Sequence, residues 1–117
     1  MVKPWDKANC YGYAVDKNRW FVFDGSYQGA VDELLEKNPN WKLVSKDQMV
    51  LGKSYVAFRY GYRDFHFMFR DHRGHWTHKM GSQIVRPISQ RDVFHKHWVG
   101  SGILYTSKVY LFEVPNR

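Results

Sequence analysis

Apolar positions recur at two spacings along this chain. Between Tyr27 and Lys37, the residues Ala30, Val31, Leu34 and Leu35 follow the three- and four-residue spacing of one helix face. Ser26 is placed to cap that helix, and Asn38-Pro39-Asn40 stops it. Downstream the period falls to two. Lys53 to Tyr60 alternates, and from Arg63 to Arg70 the rings Phe65, Phe67 and Phe69 alternate with Asp64, His66, Met68 and Arg70. His75 to Met80 reads as the partner of that second strand, with Asp71-His72-Arg73-Gly74 as the hairpin turn between them. Shorter strands are expected at Trp20 to Phe23, Trp41 to Val44 and Gln83 to Arg86, and a long last strand at Ile103 to Val114. Ser89 to Trp98 reads as a short helix. Near the N-terminus, Asn9 can cap a helix from Cys10 to Val15, which Gly12 weakens. Helices first and antiparallel strands afterwards predict an α+β fold, with N-terminal helices packed on an antiparallel sheet.

Composition narrows this picture. The chain has 117 residues, enough for one domain with a hydrophobic core, and its 44% apolar content argues against disorder. The single cysteine rules out an internal disulfide framework and suits a reducing compartment. No secretory signal and no apolar run of membrane-spanning length are visible, so a cytoplasmic location as synthesised is expected, with export by a specialised route or lysis left open. A formal charge of +7 suits nucleic acid, an anionic polymer or an acidic protein as partner. Its carriers, among them Lys42, Lys46, Arg59, Arg70, Lys79 and Arg86, are dispersed and read as a solvated surface. Interleaved with Tyr55, Tyr60, Tyr62 and Trp76, they could also form a stacking platform for single-stranded nucleic acid.

The candidate chemistry lies in the histidine hairpin and the lone thiol. His66 and His78 are twelve residues apart with His72 midway, so an odd-numbered loop places both imidazoles on one sheet face, roughly 5–8 Å apart at Cβ. Cys10, at the start of a helix and followed in space by that face, would complete a nucleophile–base–orienter set. Against this stand a buried small hydrophobe at Cys10 and a half-buried structural His66. His66, His72, His75, His78, Asp64 and Asp71 could also supply zinc or nickel ligands, but their spacing matches no closed structural site, and neither metal nor cofactor is expected. His72 and His75 fall at the turn and are expected to face solvent, while His95 and His97 carry no clear signal.

The phrases Asn9-Cys10-Tyr11-Gly12-Tyr13-Ala14, Asp64-Phe65-His66-Phe67 and Gly74-His75-Trp76-Thr77-His78-Lys79 resemble those of papain-like cysteine peptidases of the NlpC type. They are also similar to a small group of bacterial papain-like proteins with Asp-Tyr-His and Trp-Ser-His-Lys phrases. The resemblance covers the Cys10 phrase and residues 63–81. It departs from the NlpC pattern in having Asn9-Cys10-Tyr11 where Asp-Cys-Ser is usual, and in lacking a Gly-His-Val-type opening before the strand. It implies a papain-like fold in a bacterial or phage protein. Cys10 would be the nucleophile, His66 the general base and acid, and His78 the orienter, with Asn9 and Tyr11 in oxyanion or positioning roles. The implied activity is thioester-mediated cleavage of a peptide or amide bond, in peptidoglycan or a protein; an acyltransferase or deamidase could use the same apparatus. The competing expectations are a non-catalytic basic module for nucleic acid or an acidic partner, and a metal-dependent hydrolase.

Overall fold

The computed structural model describes residues 9–15, 17, 27–61, 64–80, 83–96, 98–100, 103–105 and 108–117. Two helices come first, α1 (Cys10–Ala14) and α2 (Tyr27–Lys37). There follow β1 (Lys42–Val44), a 3₁₀ turn (Lys46–Gln48), β2 (Ser54–Gly61), β3 (Asp64–Arg70), β4 (Trp76–Lys79) and β5 (Val85–Pro87). The chain ends with α3 (Gln90–Val93), the hairpin of β6 (Trp98–Gly100) and β7 (Ile103–Tyr105), and β8 (Tyr110–Val114). Six strands form one antiparallel sheet in the order β1-β8-β2-β3-β4-β5. This is the expected α+β arrangement.

Both faces of the sheet are covered, and strand alternation sorts the residues between them. Val56, Phe58, Phe67, Phe69, Phe112 and Val114 point to one face and form a core with α1 and with Ala30, Val31 and Leu34 of α2. Tyr55, Ala57, Met68, Trp76 and Leu111 point to the other and pack against Val93 of α3. Among the described residues, no helix is long and apolar enough to cross a membrane.

Local chemistry explains the hairpin between β3 and β4. The Asp71 N–H donates to the His75 carbonyl and the Gly74 N–H to the Asp71 carbonyl, both at 3.0 Å, leaving His72, Arg73 and Gly74 as the loop. Gly74 takes φ +91°, a conformation that L side chains rarely adopt. The Asp71 side chain accepts the N–H groups of Arg73 at 3.0 Å and His75 at 2.9 Å. Desolvation opposes the Asp71 charge, but those two hydrogen bonds and the nearby His75 and His72 together outweigh it, and its pKa falls below the ordinary value.

Several expectations need correction. The expected helix from Ser89 to Trp98 is only Gln90–Val93, capped by Ser89, because Trp98 begins β6. The long last strand is two strands, Ile103–Tyr105 in the β6–β7 hairpin and Tyr110–Val114 in the main sheet. Arg59, Arg70 and Lys79 are buried rather than solvated, since β2, β3 and β4 are central strands covered on both sides. The expected strand at Trp20 to Phe23, together with Ser26, Tyr62, Arg63 and His97, lies outside the described residues.

Candidate functional site

The odd loop has the expected consequence for the histidines. Met68 stands opposite His78 and Arg70 opposite Trp76, so His66 is diagonal to His78 on the same face. The His66 Nε2 lies 2.9 Å from the His78 Nδ1, with the rings nearly perpendicular. That contact needs one nitrogen to donate and the other to accept, which two imidazolium rings cannot do. His66 is only 2% exposed. Burial pushes its pKa from 6.5 down to about 3, and the neighbouring His78 and the Arg59 guanidinium act in the same direction. The half-buried His78 is also lowered, first by desolvation and then by Arg86. The pair is therefore neutral at physiological pH.

Arg59 is the cross-strand partner of His66 and shares its face. Its Nη1 donates to the Val93 carbonyl at 3.0 Å and its Nη2 to the His95 carbonyl at 2.8 Å. These carbonyls sit at and just past the end of α3, where unsatisfied oxygens favour a cation. The guanidinium thus ties α3 to the sheet and holds a fixed positive charge beside His66.

Cys10 is the first residue of α1. Asn9 caps α1, its Oδ1 accepting the Gly12 N–H at 2.9 Å. The helix then lies on the ring-bearing face: Tyr11 stacks on Phe67 at 4.6 Å between centroids, and Tyr13 meets Phe69 edge-on at 6.2 Å. The Tyr13 hydroxyl and Thr77 Oγ1 are 2.5 Å apart. Phe67 and Thr77 are the immediate neighbours of His66 and His78, so their side chains leave the sheet on the opposite side. Cys10 is buried in the cluster on the Phe67 side.

The structure therefore brings His66 and His78 together, and it places Cys10 at the start of α1, which packs on β3 and β4. Asn9 is engaged as a helix cap, and Tyr11 is a core ring whose burial raises its pKa despite a hydrogen bond from Asn38. His72 and His75 are exposed at the hairpin tip, as expected. Among the described residues, no three His, Cys, Asp or Glu side chains are close enough to share a metal ion. The stacking platform also fails in part, since Tyr55 is fully buried and Trp76 is 4% exposed. Arg59 was missed as a site neighbour. Its place in the alternation with Tyr55 and Ala57, on the same face as His66, was the available signal.

A second feature lies on the α3 side, at the β1 end of the sheet. A half-open groove of about 480 Å³ runs between β1, the 3₁₀ turn, α3 and β8, bordered by Val44, Lys46, Phe94, Lys108, Val109 and Tyr110. The Lys46 Nζ sits 4.9 Å from the Phe94 ring centroid, and the Lys108 Nζ 5.5 Å from that of Tyr110. No protein-family model matches the chain. Comparison with curated proteins and with solved structures also returns no match.

Proposed function

We propose that this chain is a non-catalytic basic domain that binds an acidic partner protein. The observation that carries the reading is the number of cationic side chains that stand exposed on the surface. Of the cations behind the +7 formal charge, Arg59, Arg70 and Lys79 are buried and the others named below are not. Glu113 pairs with Lys53, Glu33 with Lys37, and Asp71 with its own hairpin loop. Lys42, Lys46, Arg86, Arg91, Lys96 and Lys108 face solvent. Protein is favoured over nucleic acid because Tyr55 and Trp76, two of the rings expected to stack on bases, are in the core. The test is fluorescence anisotropy against polyglutamate, an oligothymidylate and a neutral peptide at 50 and 200 mM salt. Salt-sensitive binding to polyglutamate, tighter than to the oligonucleotide, is expected. Absence of polyglutamate binding at both salt concentrations overturns the reading.

A second reading rests on the paired imidazoles: a papain-like thiol hydrolase, or an acyltransferase or deamidase, working through a Cys10 thioester. It requires the Cys10 thiol within hydrogen-bond reach of the His66 ring. Rapid iodoacetamide alkylation of Cys10 near pH 6, lost in His66→Gln, supports it. Slow alkylation with an ordinary thiol pH profile counts against it.

A further inference from the structure

Arg70 is a buried cation that no carboxylate pairs with among the described residues. It is 9% exposed and stands on β3 between Tyr55 and Trp76, its cross-strand partners. Its guanidinium lies 5.5 Å from the Tyr55 ring centroid, and its Nη1 donates to the Val50 carbonyl at 3.3 Å. The adjacent Asp71 is engaged by its own loop, accepting the N–H groups of Arg73 and His75 and facing the His75 ring at 3.7 Å. The Arg70 Nε is buried and has no hydrogen-bond partner. A buried charge with an unsatisfied donor is costly, and an arriving anionic acceptor offsets that cost.

The unsatisfied donor belongs to a usable edge. In a planar guanidinium, Nε–H and one terminal N–H project side by side and match the two oxygens of a carboxylate. Nη1 turns to Val50, which leaves Nε and Nη2 as that edge. Nη2 borders a notch over Gly74, where a Cβ would lie 3.2 Å from Nη2 and 3.1 Å from Leu51 Cδ2. Val50 and Leu51 beside it are 50% and 70% exposed, and the neighbouring Arg73 is exposed. Aliphatic neighbours suit the methylene stem of an acidic side chain. One guanidinium edge matches a single carboxylate better than a doubly charged phosphate, which calls for more donors.

We propose that the Nε–Nη2 edge of Arg70 binds a carboxylate side chain of an acidic partner protein, seated over Gly74 beside Leu51. The inference rests on the acidic-partner reading and adds the point at which the partner is held.

The test follows the arginine Nε–H signals of the ¹⁵N-labelled chain by NMR while tetraglutamate, inorganic phosphate or sodium chloride is added at matched ionic strength. The Arg70 signal is identified by its absence in Arg70→Lys. It should shift saturably with tetraglutamate and stay in place with chloride. Tetraglutamate affinity should fall roughly tenfold or more in Arg70→Lys, which keeps the charge but loses the fork, and in Gly74→Ala, which fills the notch. It should fall less than about threefold in Arg73→Gln. Tetraglutamate that binds, read by anisotropy of a fluorescein-labelled form, without moving the Arg70 signal overturns the site and leaves the acidic-partner reading standing. Phosphate that saturates the Arg70 signal more tightly than tetraglutamate overturns the carboxylate as ligand. No binding of tetraglutamate at all overturns both readings. Circular dichroism establishes that each variant folds, and the wild-type Arg70 signal decides the matter without any of them.

Discussion

Acid should destabilise this fold through His66, by an amount that follows from its burial. Unfolded, this imidazole takes up a proton near 6.5; folded, it resists protonation until about 3. A base whose folded pKa is depressed contributes stability that is complete above about 6.5 and is lost as pH falls through that window. Each pH unit below 6.5 costs about 1.4 kcal/mol, so moving from pH 7 to pH 5 costs about 2 kcal/mol through this residue alone. His78, lowered in the same direction, adds to the loss. The assay is urea denaturation followed by tryptophan fluorescence at pH 7 and pH 5, on the wild-type chain and His66→Gln. Glutamine keeps a donor for the His78 Nδ1 but does not titrate. The wild type should lose about 2 kcal/mol more than the variant between the two conditions. Equal losses in both proteins would refute the reasoning, because His66 would then titrate as an ordinary exposed histidine.

Two further predictions concern the elements that set this geometry. Asn9→Ala removes the acceptor for the Gly12 N–H and should cost about 1 kcal/mol, read as a lower urea midpoint with an unchanged slope. Gly74 and Gly52 both have positive φ, but a Cβ at Gly74 would lie 3.1 Å from Leu51 Cδ2 and 3.2 Å from Arg70 Nη2, whereas one at Gly52 would meet nothing within 4 Å. Gly74→Ala should therefore lower the melting temperature more than Gly52→Ala, each change including about 1–2 kcal/mol of backbone strain.

Much of the framework was legible in the residue pattern because local chemistry dictates it. The period of Ala30, Val31, Leu34 and Leu35, with the stop at Asn38-Pro39, marks α2, and Asn9 marks the start of α1. The Asp71–Gly74 turn determines the loop parity, and hence the meeting of His66 and His78. The sequence of α1 also held a signal. Cys-Tyr-Gly-Tyr-Ala is a largely apolar helix, and its Tyr11 and Tyr13 rings pack on Phe67 and Phe69. The burial of Arg59 depended on a non-local fact, the arrival of the α3 carbonyls over β2, which alternation within one strand does not reveal. The division of the last strand arose similarly. Its two parts pair with different partners, β6 and β8's neighbours β1 and β2, so continuous β-forming sequence did not mean one strand.

The non-catalytic reading is tested most directly by following the ring nitrogens of His66 by ¹⁵N NMR across pH, in the wild-type chain and in Cys10→Ala. Burial keeps His66 neutral at pH 7 and until the solution is well below pH 5, and the reading has it titrate at the same pH in both proteins. An imidazolium at pH 7 in the wild type, whose pKa drops when the thiol is removed, would show Cys10 and His66 acting as one ion pair and would contradict the reading.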